Sequence, residues 1–274
     1  MSKQVNRNCY DRQKVRSWFC EEIWFRSLKR AGIVPDDIGT KWFLAAGKRL
    51  RPILAAGIYS SLGGCDDDVA IPIALGVECF HKASLIHDDI EDGDTMRYDQ
   101  PSVHAEYGVP LAINAGDWLL GAGYALISSA ALPGAVCAEL VRLAAWGHAE
   151  LARGQGDELA FCFHPHPIAL EKTIEIYERK TSAAFNVALQ CGAVAAGMKP
   201  EKRAILARFA RAWGIAFQIR DDEEDVVSIK GRTSDLCALR PTAYLAMACR
   251  SRSSDLCKAL AEAWNGGDKE RRRL

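Results

Sequence analysis

Two five-residue segments rich in aspartate stand about 130 residues apart, Asp88-Asp89-Ile90-Glu91-Asp92 and Asp221-Asp222-Glu223-Glu224-Asp225. Each lies in an otherwise apolar, helix-patterned stretch, flanked by Ala83-Ser84-Leu85-Ile86 in the first case and Trp213-Gly214-Ile215-Ala216-Phe217 in the second. On an α-helix, residues four apart share a face and the next residue lies about 100° round it. Asp88, Asp89 and Asp92 are therefore expected to form one acidic patch, and Asp221, Asp222 and Asp225 a second. Burying carboxylates without a partner costs on the order of several kcal/mol per group, so a cation is expected beside them. All-oxygen ligands favour a hard divalent ion such as magnesium, whose shell is usually completed by phosphate oxygens and water. One such cluster alone would more often be solvated surface charge. The same spacing twice, each time inside an apolar run, favours the metal.

Other residues supply cations. Gly47-Lys48-Arg49-Leu50-Arg51-Pro52 puts Lys48 and Arg51 three apart, on one expected helical face, where arginine can bind a phosphate bidentately and lysine acts as a point charge. The plainer reading is an ordinary basic helix end. His81 stands two turns before Asp88 on the same face; a lone histidine there is more often a satisfied core residue. Lys180-Thr181 leads from a charged stretch into Ala183-Ala184-Phe185, and Gln218 lies three residues before Asp221. Two acidic patches for metal and several cations for a pyrophosphate form an inventory for ionising an allylic diphosphate, with an apolar tunnel to shelter the carbocation.

The elements that must position these groups are helical. Periodicity predicts helices over about 11–31, 38–62, 67–94, 101–107, 111–130, 134–161, 168–197, 200–228 and 240–264, with no convincing strand. Turn chemistry separates them at Gly63-Gly64, Asp99-Gln100-Pro101, Pro133-Gly134, His164 to Pro167, Gly197 to Pro200, and Gly231. Several helices are apolar most of the way round, which suits the interior of a large bundle. The expected architecture is one all-α domain, 1–274, around a central cavity, with a frayed tail over 265–274.

Composition excludes some functions. The 274 residues carry 35 Lys+Arg against 35 Asp+Glu, so charge offers no footprint for nucleic acid or a membrane surface. No apolar run reaches the roughly 18–20 residues of a spanning helix, and the polar N-terminus shows no secretory pattern. Ten cysteines are scattered without a CxxC pair, so a reducing cytoplasm is the expected location.

The segments GKRLRP, FHKASLIHDDIEDGDTMR, GQGDE, ERKTSAAF and FQIRDDEEDV follow one another across about residues 40–242. In this order the chain resembles the trans-isoprenyl diphosphate synthases, the polyprenyl synthetase family. The resemblance implies a homodimeric all-α enzyme, with a heteromer as the alternative, using three magnesium ions. It condenses an allylic diphosphate with isopentenyl diphosphate. By that match Asp88, Asp89, Asp92, Asp221, Asp222 and Asp225 bind metal. Arg97, Lys180 and Gln218 handle the allylic diphosphate, Thr181 sits near the carbocation, and Gly47, Lys48, Arg51 and His81 hold isopentenyl diphosphate. Asp88, Asp89, Lys180, Thr181, Gln218 and Asp221 are thus the expected catalytic set.

The chain departs from the family pattern in two places. Arg97-Tyr98-Asp99 replaces the usual Arg-Arg-Gly, removing a charge-assisted contact to isopentenyl diphosphate worth about 1.5–3 kcal/mol. After the second acidic motif, Lys230-Gly231-Arg232-Thr233-Ser234-Asp235 is shorter than the family's GKxxGSD, leaving Lys230 or Arg232 to stand in for its lysine. These breaks sustain two alternatives: a terpene cyclase or a transferase to another acceptor, and a non-catalytic partner subunit. Retention of Lys48, Arg51 and His81 argues against a cyclase. Product length would be set by Ser84, Ala83 and Phe80, at four, five and eight positions before Asp88. The first two are small; Phe80 lies about 12 Å down the helix and either floors the tunnel or packs outward. A product of twenty carbons or more is expected.

Overall fold

The computed structural model describes residues 9–227 and 240–250. The described chain is all-α apart from one minimal hairpin. Its helices are α1 Arg12–Ser17, α2 Glu21–Arg30, α3 Asp37–Leu44, α4 Leu50–Ser61, α5 Asp67–Asp92, α6 Val103–Tyr107, α7 Val109–Ser128, α8 Gly134–Phe163, α9 Leu170–Tyr177, α10 Ala183–Ala195, α11 Pro200–Val227 and α12 Ala243–Cys249. A π-helical turn, Glu178–Ser182, joins α9 to α10.

The expected elements are largely present, but three are divided. The 11–31 stretch breaks between α1 and α2, where Cys20 adopts an extended backbone before two glutamates open the next helix. The 38–62 stretch breaks at Ala45–Arg49, and Arg49 enters the left-handed region at φ 52°. Lys48 therefore lies in a loop before α4 and does not share a helical face with Arg51. The 168–197 stretch carries the π-helical turn in its middle. Before α6, Met96–Arg97 (β1) pairs antiparallel with Gln100–Pro101 (β2). Tyr98 and Asp99, at φ 54° and 59°, form the two-residue turn that such a hairpin needs. Strands of two residues show no alternation, so periodicity gave no sign of them.

By its internal contacts the described chain divides into two compact units, one of 9–148 with 184–208, the other of 149–183, 209–227 and 240–250. In the first, α5 is the central element, buried along most of its length. Asp66 caps its start by accepting from the Asp68 amide, and Gly93 closes its end at φ 68°. The α5–α7 crossing is close because Gly76 and Gly123 face each other. A Cβ on Gly76 would lie 2.8 Å from the Gly123 carbonyl, and one on Gly123 would lie 3.1 Å from the Gly76 carbonyl. Trp24 stacks on Phe43 at 3.8 Å between centroids, anchoring α2 to α3.

Helix α5 is long and apolar enough to cross a membrane by length and composition, contrary to the expectation that no run would qualify. Its apolar window is 78% buried inside the fold, as a core helix is. The smaller unit has its own core of Phe161, Ile168, Ile176, Leu245 and Ala246. Thr242 caps α12 by accepting from the Leu245 amide at 3.1 Å.

Candidate active site

The last turn of α5 carries the first acidic motif, but its three aspartates do not form one patch. Asp88 and Asp92, four apart, are half-buried on one face. Asp89, about 100° round the helix, is fully buried and binds Arg97 of β1. Arg97 grips Asp89 Oδ1 through both Nε, at 2.8 Å, and Nη2. Burial works against the Arg97 charge, yet the Asp89 ion pair outweighs it and raises the guanidinium pKa. The hairpin therefore serves to bring Arg97 back onto the helix it has just left.

Two turns earlier on α5, His81 Nε2 lies 3.2 Å from Arg51 Nη1. Since guanidinium only donates, Nε2 accepts and the ring proton sits on Nδ1. Burial, then the charges of Arg51, Lys82, Arg49 and Arg97, hold the imidazole pKa well below the ordinary histidine range. Arg51 also covers the Phe185 ring, with its guanidinium carbon 5.0 Å from the centroid. Lys48 is exposed, on the loop beside half-buried Gly47. Arg49, passed over in the sequence, is buried: it binds Glu78 Oε1 at 2.6 Å and donates to the Phe43 and Ala45 carbonyls at 3.0 and 2.7 Å.

The chain-length candidates lie along the same helix. Ala83 is fully buried, and the Ser84 hydroxyl donates to the His81 carbonyl at 2.9 Å. The Phe80 ring packs against Tyr124 of α7, 4.8 Å between centroids, over the space that Gly123 leaves open. The Tyr124 hydroxyl is 3.2 Å from His148 Nδ1.

In the second unit, the π-helical turn projects Lys180 and Thr181. Lys180 donates to Glu158 Oε1 of α8 at 2.6 Å, and Arg240 lies 3.6 Å from the same oxygen. Thr181 Oγ1 donates to Gln218 Oε1 at 2.6 Å, and Gln218 Nε2 donates to Asp222 Oδ1 at 2.9 Å. Asp222 is buried and also accepts from the Tyr177 hydroxyl, which itself accepts from the Ala243 amide at 2.7 Å. Burial raises the Asp222 pKa, partly opposed by the bonds from Tyr177 and Gln218. Asp221, its neighbour, is exposed. Here too the second aspartate of the motif turns inward. Asp225 belongs to α11, but its side chain lies outside the described residues, as do Lys230 and Arg232.

Sequence reasoning missed Glu158 and Tyr177 as partners of Lys180 and Asp222. Glu158 lay in the GQGDE segment, and Gln155 of that segment is buried with neither amide atom hydrogen-bonded. Gly154 has a plain role: a Cβ there would lie 2.5 Å from the Lys180 backbone nitrogen. Gly214 does the same on α11, where a Cβ would meet Ser182 Oγ at 2.3 Å. Two glycines thus let α8 and α11 close on the π-helical turn.

Among the described residues no three metal-binding side chains converge into a ready cage. Asp88 and Asp92 in the first unit, and Asp221 in the second, each offer carboxylate oxygens. They suit a hard cation that takes most of its shell from phosphate and water.

A family model, "Polyprenyl synthetase", matches residues 36–273. The short chain isoprenyl diphosphate synthase of Methanocaldococcus jannaschii is 31% identical over 224 residues, covering 80% of this chain and 67% of the relative. The geranylfarnesyl diphosphate synthase of Aeropyrum pernix is 35% identical over 197 residues, 69% of this chain and 62% of the relative. The chain thus spans about two thirds of the length of these curated relatives. Among solved structures, a geranyltransferase from Helicobacter pylori complexed with magnesium and isoprenyl diphosphate aligns with TM-score 0.71 at 25% identity, over 89% of this chain and 90% of that one. With the family model covering most of its length, the chain belongs to the polyprenyl synthetase family.

Proposed function

We propose that this protein is a magnesium-dependent trans-prenyltransferase joining an allylic diphosphate to isopentenyl diphosphate. One observation carries the reading. Helix α5 bears the carboxylate pair Asp88 and Asp92 and, two turns earlier, a histidine paired with Arg51. That separation is about 10 Å at roughly 1.5 Å per residue, enough for two diphosphate groups side by side. A cyclase has use for only one.

Asp88 and Asp92, with Asp221, would hold magnesium, which when bound supplies Lewis-acid stabilisation of the leaving pyrophosphate. Family membership supports the reading that both acidic motifs serve one diphosphate, with three magnesium ions and a homodimeric enzyme. Arg97 and Lys180 orient the allylic diphosphate; Asp89 and Glu158 hold those two cations in place. The allylic C–O bond breaks, and its electron pair leaves with pyrophosphate. The Thr181 hydroxyl, fixed by Gln218, presents its oxygen toward the allylic cation. Arg51 and Lys48 hold isopentenyl diphosphate while its double bond attacks that cation, and the proton then lost goes to the released pyrophosphate. Phe80 with Tyr124 floors the tunnel, giving a product of twenty carbons or more.

A second reading follows from Tyr98 and Asp99, which form a tight turn and bring no cation to the acceptor. It is transfer to an acceptor other than isopentenyl diphosphate. Incubation with dimethylallyl, geranyl and farnesyl diphosphates, with and without isopentenyl diphosphate, separates the two. Polyprenyl diphosphate formed only when isopentenyl diphosphate is present supports condensation. Turnover of the allylic substrate that ignores isopentenyl diphosphate contradicts it.

A further inference from the structure

Lys82, next to His81 on α5, has no exposed surface. Its ammonium donates to the Ala45 and Ala46 carbonyls at 3.1 and 2.9 Å, where α3 ends. It stands over the rings of Trp42 and Tyr98, at 5.3 and 4.7 Å. Trp42 Nε1 donates in turn to the Lys82 carbonyl at 3.1 Å. Among the described residues no carboxylate pairs with Lys82; Glu78, close by, is bound to Arg49 at 2.6 Å. A buried ammonium without a counterion is expensive, and an apolar side chain of similar length would pack there at lower cost.

What the ammonium holds is the loop Ala45–Arg49. A Cβ on Gly47 would lie 3.8 Å from Arg49 Nε, from Glu78 Oε1 and from Lys82 Nζ. The loop therefore rests on two buried cations and one carboxylate, an excess of positive charge. Its outer side carries exposed Lys48, and Arg51, the second residue of α4, lies beside His81. Tyr98 reaches Lys82 from a left-handed backbone that only a few per cent of non-glycine residues adopt.

We propose that Lys82 is a positioning residue for the acceptor diphosphate, holding the Ala45–Arg49 loop from beneath so that Lys48 and Arg51 meet one anion. The inference rests on the acceptor site proposed above. Burial, the charge of Arg49 and that of Arg97 lower the Lys82 pKa to about 7, with Glu78 opposing them. A bound diphosphate favours the ammonium, so acceptor affinity is coupled to proton uptake at Lys82.

The test compares wild type with Lys82→Met and Lys82→Arg by hydrogen exchange at residues 46–50 without substrate, and by KM for each substrate between pH 6 and 8.5. Lys82→Met is expected to speed exchange in the loop and raise KM for isopentenyl diphosphate at least ten-fold. The allylic KM should change less than two-fold, and Lys82→Arg should restore most of the loss. In wild type, KM for isopentenyl diphosphate should rise above pH 7 while the allylic KM stays flat. Unchanged loop exchange, or both KM values moving together, overturns the proposal. If Lys82→Met does not fold, the wild-type pH series decides: parallel pH dependence of the two KM values overturns it. If wild type makes no product that depends on isopentenyl diphosphate, the functional reading has failed, and loop exchange still decides whether Lys82 positions the loop.

Discussion

Each acidic motif places its second aspartate in the interior, Asp89 against Arg97 and Asp222 against Tyr177 and Gln218. The doubled aspartate is thus a division of labour set by the 100° step of the helix. The first carboxylate of each pair is the less buried, and the second holds a neighbouring side chain. Asp88→Asn should lower kcat at least 100-fold with little loss of stability, read by steady-state kinetics beside thermal melting. Arg97→Ala removes the ion pair made by buried Asp89 and should cost about 3–5 kcal/mol in urea unfolding. Equal stability losses in the two variants would contradict this division. Lys82 adds a pH signature: its folded pKa, about 7, lies below the ordinary lysine value. The unfolded chain then binds more protons between pH 7 and roughly 10.4. Wild type should gain stability relative to Lys82→Met across that window, and parallel curves would contradict the shift.

At the scale of elements, helices position nearly everything, and three short irregularities do the fine placement. The Ala45–Arg49 loop presents Lys48, the Tyr98–Asp99 turn returns Arg97 to α5, and the π-helical turn projects Lys180 and Thr181. Gly154 and Gly214 permit the last of these. Gly154→Ala should destabilise by about 1–3 kcal/mol through overpacking, and it should lower kcat by displacing Lys180. A variant of unchanged melting temperature and activity would mean that α8 has room to move. Apolar periodicity made the long helices legible, and repeated aspartate spacing made the acidic motifs legible. The irregularities were not, because each depends on tertiary contact. Arg49 reads as one more cation of a basic run until Glu78, 29 residues on, captures it. Asp89 reads as one member of an acidic patch until a two-residue hairpin, too short for any alternation, returns Arg97 to it. Gly154 and Gly214 read as ordinary helical glycines until the chain between them is packed.

For the molecule as a whole, family membership supports the proposed prenyl transfer between two diphosphates, as do the two clusters along α5: Asp88 with Asp92 at its end, and His81 with Arg51 two turns earlier. The proposed product length is tested at the α5–α7 contact. Phe80 rests on Tyr124 over Gly123, and truncating it to Phe80→Ala should lengthen the product by at least one five-carbon unit, read by mass spectrometry. An unchanged product would remove Phe80 from the tunnel floor. The most direct measurement is product mass from farnesyl diphosphate and isopentenyl diphosphate with magnesium, then with excess chelator. The expected result is a polyprenyl diphosphate of twenty carbons or more that requires both isopentenyl diphosphate and the metal. The same allylic turnover without isopentenyl diphosphate, or full activity in chelator, would contradict it.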